Sequence, residues 1–507
     1  MKYLTKTTSA IFLAGCVALI GGCDSNTVPP GTIITYQRDQ IAPTALDTSD
    51  QTMEQPAVAV DPNIDILAQK YDETHSKTVA RTSAPAVAQQ QPAAPPVEPA
   101  LASKEDIDAA KKRVAELRGS VKTAKNGAIT AITVESADAT LDDMKLFGRL
   151  LDLESFTFLG SNFNDEYLAQ FKDLKKVKSA TIQNSSITGE TLNMLATYPE
   201  LTSLDIRRNV ELKSKDLDAI ASMPKLEKIL AYYNSFNSLA AKRIAKSSTV
   251  KVVDLRACSD VDDAACRYLA EMQTLEEVYF RFLITDAGVE YLAAAPNLKF
   301  VEFQDCPIDN DCAPSIVKFP ALTGLRVFRS KAFDDEGVKQ IAGMKLERLE
   351  LRDLNVSSEG VLALKDMATL RSVELSELSN VEADALLTVC AAWKDVESLN
   401  FFSMKSNDET VKTIVANMPN LKSLTLRASV GELSDASIDE ICKLQNLETL
   451  DLRENGALTF DGMKKLANIK SLRRIYVKGT KLGDSSPDAE AARDEIKKIN
   501  SKCAIVI

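Results

Sequence analysis

A hydrophobic frame of the form L-x-x-L-x-L recurs fifteen times along this chain, with Val, Ile, Phe or Ala standing in for Leu. The copies begin at Ile129, Leu153, Val177, Leu201, Leu226, Val250, Leu275, Leu298, Leu322, Leu346, Leu370, Val396, Leu421, Leu447 and Leu472, in steps of 23 to 26 residues. A unit this short cannot enclose a core alone, so the copies must stack and share one. The Leu-x-Leu alternation has the period of a strand and turns one face of each strand inward. Three residues past the last Leu a small polar or thiol side chain recurs: Ser185, Asn209, Asn234, Cys258, Cys306, Ser330, Ser429, Asn455 and Thr480. At that place the chain leaves the strand, and a short side chain can bond the backbone groups the turn leaves unpaired.

A second signal follows in many copies. Thr285-Asp286-Ala-Gly-Val289-Glu-Tyr-Leu292, Ser434-Asp435-Ala-Ser-Ile438-Asp-Glu-Ile441 and Thr459-Phe-Asp-Gly-Met463-Lys-Lys-Leu466 each pair an N-capping hydroxyl with an amphipathic run. The acids suit a first helical turn and read as helix caps, not metal ligands. Each copy therefore reads strand, turn, short helix, return. Stacked, the copies predict an α/β solenoid with a curved, parallel inner sheet and short outer helices. The pattern, with its Cys/Asn column, resembles the leucine-rich-repeat family over residues 129–487. The Cys258 and Cys306 column is also similar to repeats of eukaryotic ubiquitin-ligase receptor subunits. Those carry a helical adaptor-binding domain where this chain has proline-rich sequence, so a substrate-receptor-like role ranks as a minor alternative.

The flanks differ in kind. Lys2 and Lys6 precede an apolar stretch from Ala10 to Ile20, too short to span a bilayer, and Gly21-Gly22-Cys23 follows. This resembles the signal and lipobox of bacterial lipoproteins. It implies removal of residues 1–22, acylation of Cys23 and a place on the cell envelope, periplasmic or surface-exposed. Leu13-Ala14-Gly15-Cys16 is a second match, but cleavage there leaves too short an apolar run before it. Residues 23–102 lack periodicity and hold ten of the eighteen prolines. They read as a disordered tether with a reach of roughly 50 Å. Ser103-Lys-Glu-Asp106 resembles a capping box. Ile107, Ala110, Val114, Leu117 and Val121 then predict one helix face, which Gly119 and Asn126-Gly127 break, so residues 103–128 are expected to form an N-terminal capping helix before a strand at Ala128–Val134. Residues 488–507 are expected to form a C-terminal cap, a helix and then a final strand at Cys503–Ile507.

The net charge of −11 leaves −7 on residues 103–507, which gives no basic footprint for nucleic acid. Seven cysteines lie outside the signal, an odd number without a C-x-x-C pair, so neither a disulfide framework nor a zinc site is expected. Cys258 and Cys306 read as buried structural thiols. The single histidine, His75, falls in the tether, and no phosphate-binding glycine loop occurs. No catalytic residue, metal or cofactor is therefore expected.

What remains is a surface. The position between the last two frame residues is often acidic (Asp205, Asp254, Glu302, Glu350, Glu374, Asp451), and the one just after them is often basic (Arg207, Arg256, Arg281, Arg352, Arg427, Arg453, Lys478). Both face the concave side, and ladders of ion pairs there read first as solvation of the sheet. The middle repeats differ. Tyr232, Tyr279, Phe300 and Phe328, with Arg256, Arg281 and Arg326, are residue types enriched in binding hot spots. They are the candidate partner-binding site, for a protein or an extracellular ligand. If exposed, Tyr279 and Phe328 should be replaceable without loss of stability; if not, they are core. The outer helices read as charged and featureless. A structural or adhesion scaffold without a defined ligand is the alternative function.

Overall fold

The computed structural model describes residues 102–507; the export signal, Cys23 and the proline-rich tether lie outside them. A 17-stranded sheet runs through this body. Its strands are β1 (Ser120–Thr123), β2 (Ile129–Val134), β3 (Ser155–Leu159), β4 (Ser179–Gln183), β5 (Ser203–Asp205) and β6 (Lys228–Leu230). Next come β7 (Val252–Asp254), β8 (Glu277–Arg281), β9 (Phe300–Gln304), β10 (Gly324–Phe328), β11 (Arg348–Arg352) and β12 (Ser372–Ser376). The last are β13 (Ser398–Asn400), β14 (Ser423–Thr425), β15 (Thr449–Asp451), β16 (Arg474–Tyr476) and β17 (Ala504–Val506). From β2 onward each strand pairs in parallel with the next in the chain. A short helix or 3-10 turn on the outer side closes most repeats. The result is the expected open, curved α/β solenoid.

Register explains the regularity. All three apolar positions of all fifteen frames are buried, from Ile129, Ile132 and Val134 to Leu472, Ile475 and Val477. A one-residue slip at any strand would turn its frame outward, so each copy fixes the register of its neighbours. The polar column joins repeats as well. Asn234 Oδ1 accepts from the Asn209 amide at 2.7 Å, while its Nδ2 donates to the Ile206 carbonyl at 3.0 Å and the Ala231 carbonyl at 2.6 Å.

The helix-capping acids also act between repeats. Asp263 opens the helix Asp263–Ala270, and its carboxylate accepts from the Thr285 amide at 2.8 Å and the Thr285 hydroxyl at 2.7 Å. Thr285 is itself the N-cap of the next helix, Asp286–Leu292. The same step recurs from Asp165 to Thr188, Asp335 to Ser357, Asp408 to Ser434 and Asp435 to Thr459. It fails once. Asp309 stands where the next hydroxyl belongs, so Asp286 accepts only the Asp309 amide, at 3.0 Å.

The turn after each strand holds a feature the sequence did not announce. The residue two past the last frame position is left-handed in repeat after repeat, from Asn184 (φ 52), Arg208 (φ 58) and Tyr233 (φ 59) to Ala428 (φ 52) and Glu454 (φ 64). Only Gly160 and Gly479 fill it with the residue that adopts such angles freely.

The N-terminal segment departs from a single helix. The helix is Lys104–Glu116, and Val121 lies on β1, which pairs antiparallel with β2. Gly119 explains the break: a Cβ there would sit 2.3 Å from the Thr133 carbonyl oxygen, so the chain must turn at a residue without one. At the far end the helix Pro487–Ile499 precedes β17, which extends the sheet beyond β16.

Candidate functional site

The concave face presents three side-chain columns. The register of β7 to β12 sets Asp254, Tyr279, Glu302, Arg326, Glu350 and Glu374 side by side. A second row runs Glu277, Phe300, Gly324, Arg348 and Ser372, and a third runs Arg281, Gln304, Phe328, Arg352 and Ser376. All seven expected site residues project from this face.

They do not form a patch of exposed rings. Phe300 and Phe328 are buried, and Tyr232 and Tyr279 are half-buried. What covers them is arginine. Arg256 stacks over Tyr232 at 5.4 Å and Tyr279 at 5.1 Å, and Tyr279 packs against Phe300 at 5.3 Å. Arg348 covers Phe300 at 4.3 Å. Phe328 lies under Arg329 at 4.0 Å, Arg352 at 4.6 Å and Arg326 at 5.7 Å. Gly324 makes the Phe300 geometry possible, because a Cβ there would lie 2.6 Å from the ring. The expectation of exposed aromatic anchors is thus corrected for Phe300 and Phe328. Each ring is roofed by guanidinium, an arrangement favoured by the electron-rich ring face.

Beneath the arginines lie acids. Asp254 and Glu302 side chains are 2% and 1% exposed, whereas Arg256 between them is 27% exposed. Arg256 donates to Asp254 Oδ2 at 2.7 Å and to Glu302 Oε1 at 3.0 Å. Arg326 reaches Glu302 Oε2 at 3.4 Å. Its Nε lies 3.1 Å from Glu350 Oε2 without the alignment of a hydrogen bond. Burial, then the neighbouring Glu350, pushes the Glu374 carboxyl above its ordinary value. Solvent therefore meets guanidinium edges over a buried acid layer.

Arg281 stands apart from the rest. It pairs with Asp305 at 2.6 Å and stacks on Phe282. With Tyr232, Tyr233, Arg256, Ala257 and Gln304 it lines a shallow hollow of about 230 Å³. Sequence reasoning placed Glu302 and Arg352 in solvating ladders and passed over Gly324 and Arg348. The signal for Gly324 and Arg348 was their column, where Ser is the commonest residue, as at Ser155, Ser179, Ser203, Ser372, Ser398 and Ser423. The outer face is not featureless either, since Leu239 and Tyr291 are 46% and 47% exposed there.

Burial pushes the Cys258 and Cys306 thiols up to about 12, so both stay protonated. Among the described residues no helix is long and apolar enough to cross a membrane.

Residues 443–467 match the model of a family described as Leucine Rich repeat. Among solved structures, a chain of the Rad7–Elc1 complex from yeast aligns at 17% identity and a TM-score of 0.46, over 85% of this chain and 97% of that one. An internalin (inlF) from Listeria monocytogenes aligns at 14% identity and a TM-score of 0.34, over 79% of this chain and 94% of that one. The matched repeat stands in continuous register with the strands on either side of it.

Proposed function

We propose that this protein is a binding module, lipid-anchored through Cys23 at a bacterial envelope, whose concave sheet holds a partner protein and carries out no catalysis. The observation that carries the reading is the central concave face. There Arg256, Arg326, Arg348 and Arg352 are held over rings and buried acids at fixed positions. Pre-ordered side chains on a rigid sheet lose little freedom on binding, which leaves more of the contact energy as affinity. Arginine and tyrosine are also the residues most often found as interface anchors.

The anchoring part rests on the signal and lipobox pattern. Cys23→Ser should release the protein from the detergent phase into the aqueous phase, and Cys16→Ser should not. The reverse result would move the acylation site. For the binding part, partner capture should fall with Tyr279→Ala and hold with an outer-helix change such as Glu290→Ala. Equal loss from both would remove the concave face as the site.

A further inference from the structure

We infer that the concave face takes an acidic, extended segment of its partner, whose carboxylates seat on the guanidiniums of Arg281, Arg352 and Arg427. The inference rests on the concave-face reading above and adds the chemistry of what binds there.

The strand-end column carries cations and no acid from β5 to β16: Arg207, Arg256, Arg281, Arg352, Arg427, Arg453 and Lys478, with Tyr232, Gln304, Phe328, Ser376 and Phe402 between. These arginines differ in how far their donors are committed. Arg453 is closed on Asp451, with Nε to Oδ1 at 2.9 Å and the terminal nitrogen to Oδ2 at 2.5 Å. Arg207 is closed on Asp205 in the same way. Arg281 spends only Nε, on Asp305, and Arg352 only Nε, on Glu377. Arg427 has no acid at all among the described residues, and its Nε is buried without a partner. Its guanidinium lies on the Phe402 ring at 4.7 Å, flanked by the uncharged Asn400 and Thr425 of the neighbouring column. A buried donor left unpaired costs free energy until an acceptor arrives. Carboxylates match the planar fork of a guanidinium.

The spacing selects the shape of the ligand. Arg281 ends β8, Arg352 ends β11 and Arg427 follows β14, so each is three strands from the next. At about 4.8 Å per strand the separation is roughly 14 Å, four residues of an extended chain at about 3.4 Å each. Residues four apart in an extended chain point the same way. A peptide laid across the strands thus offers a carboxylate to each free guanidinium. A nucleic-acid strand fits less well. Base stacking needs open ring faces, and here Phe328 is roofed by Arg329 and Arg352.

Fluorescence anisotropy of the full-length protein with labelled polyglutamate, polylysine and oligodeoxythymidylate tests this. Polyglutamate should bind, more weakly as salt rises. Arg427→Gln should weaken it about tenfold, the size of one charge-assisted hydrogen bond. Because Arg427 has no native acid partner, that variant should fold and melt like the parent. Arg453→Gln, whose Nε and one terminal nitrogen are already held by Asp451, should change affinity less than about threefold. No polyglutamate binding, tighter polylysine binding, or oligodeoxythymidylate binding as tightly and losing as much with Arg427→Gln would each overturn the inference. So would equal losses from Arg453→Gln and Arg427→Gln. If polyglutamate fails while a partner still crosslinks to Gln304, the chemistry is wrong and the concave-face reading stands. If nothing crosslinks there, both fall.

Discussion

Strands β2 to β5 and strands β7 to β11 are built on the same frame and present opposite surfaces. At the N-terminal end Ser155, Ser179 and Ser203 align in one concave column and Thr133, Thr157 and Thr181 in the next, all short and uncharged. In the centre the same positions hold Glu277, Phe300 and Arg348, and Asp254, Glu302 and Glu350. Behind both stretches the apolar frame is equally buried. Fold and surface are therefore separable in this chain. The inward positions set register and stacking, and the outward ones are free to vary. The centre concentrates buried charge, with Asp254, Glu302 and Glu350 on nearby strands, and such charge is costly unless every group is paired.

Removing part of that buried charge gives the largest expected effect. Glu302→Ala removes one of the two acids facing each of Arg256 and Arg326 and should cost about 3 kcal/mol. Thr157→Ala, on the matching column of β3, should cost less than about 0.5 kcal/mol. Denaturant melts of the two variants measure the contrast directly. Similar losses would mean the two surfaces do not differ energetically.

Phe328→Ala comes next. Its ring is buried under three arginines, so its loss should lower stability by about 2 kcal/mol through lost apolar burial. An unchanged thermal midpoint would restore the ring as a free anchor. Tyr279 is the better probe of binding, since it is half-buried and its hydroxyl donates to Glu277 at 2.7 Å.

A smaller effect separates the repeats on the outer side. Burial raises the carboxyls of Asp165 and Asp408, but bonds from Thr188 and Thr191, and from Ser434 and Ser437, outweigh it and hold both below the ordinary range. Their folded values lie below the unfolded one of about 3.9. Their stabilisation is therefore complete above roughly pH 4 and is lost as pH falls through the folded values. Asp286 behaves oppositely. Burial and the carboxylates of Asp309 and Asp311 raise it, so its charge costs stability above its folded value and acidification relieves that cost. Asp309→Thr supplies the missing hydroxyl and removes one repelling charge. It should gain about 1 kcal/mol near neutral pH and less in acid. A gain that does not shrink on acidification would separate it from Asp286.

The smallest change tests the turns. Ala257 is left-handed at φ 55. Ala257→Gly relieves about 1–2 kcal/mol of backbone cost and loses part of it to the more flexible unfolded chain. A net gain below about 1 kcal/mol is expected in the same melts.

The solenoid was legible because its signal is additive: each frame is weak, and fifteen in register are not. The left-handed column was hidden because Arg208, Tyr233 and Ala257 occupy it where glycine would have announced it. Val121 was misplaced on a helix because its spacing from Leu117 suits one, and the close approach of Gly119 to Thr133 is a tertiary fact. At the site, the columns of Tyr232, Tyr279, Phe300 and Phe328 were readable from the frame. Their cover was not. Whether a ring is bare or roofed depends on how a flexible arginine on the next strand lies, as Arg348 does over Phe300. The role of Gly324 follows only once that ring is seen lying across it.

The central claim is that the middle of the concave face, and not its hydroxyl-lined end or the outer helices, meets the partner. Photocrosslinking in cells measures this most directly, with a photoreactive side chain placed singly at Gln304, Thr157 or Glu290. Gln304 sits in the strand-end column between Arg281 and Phe328. A discrete protein adduct from Gln304, absent from Thr157 and Glu290, is the predicted result. An adduct from Glu290 with none from Gln304 would contradict it.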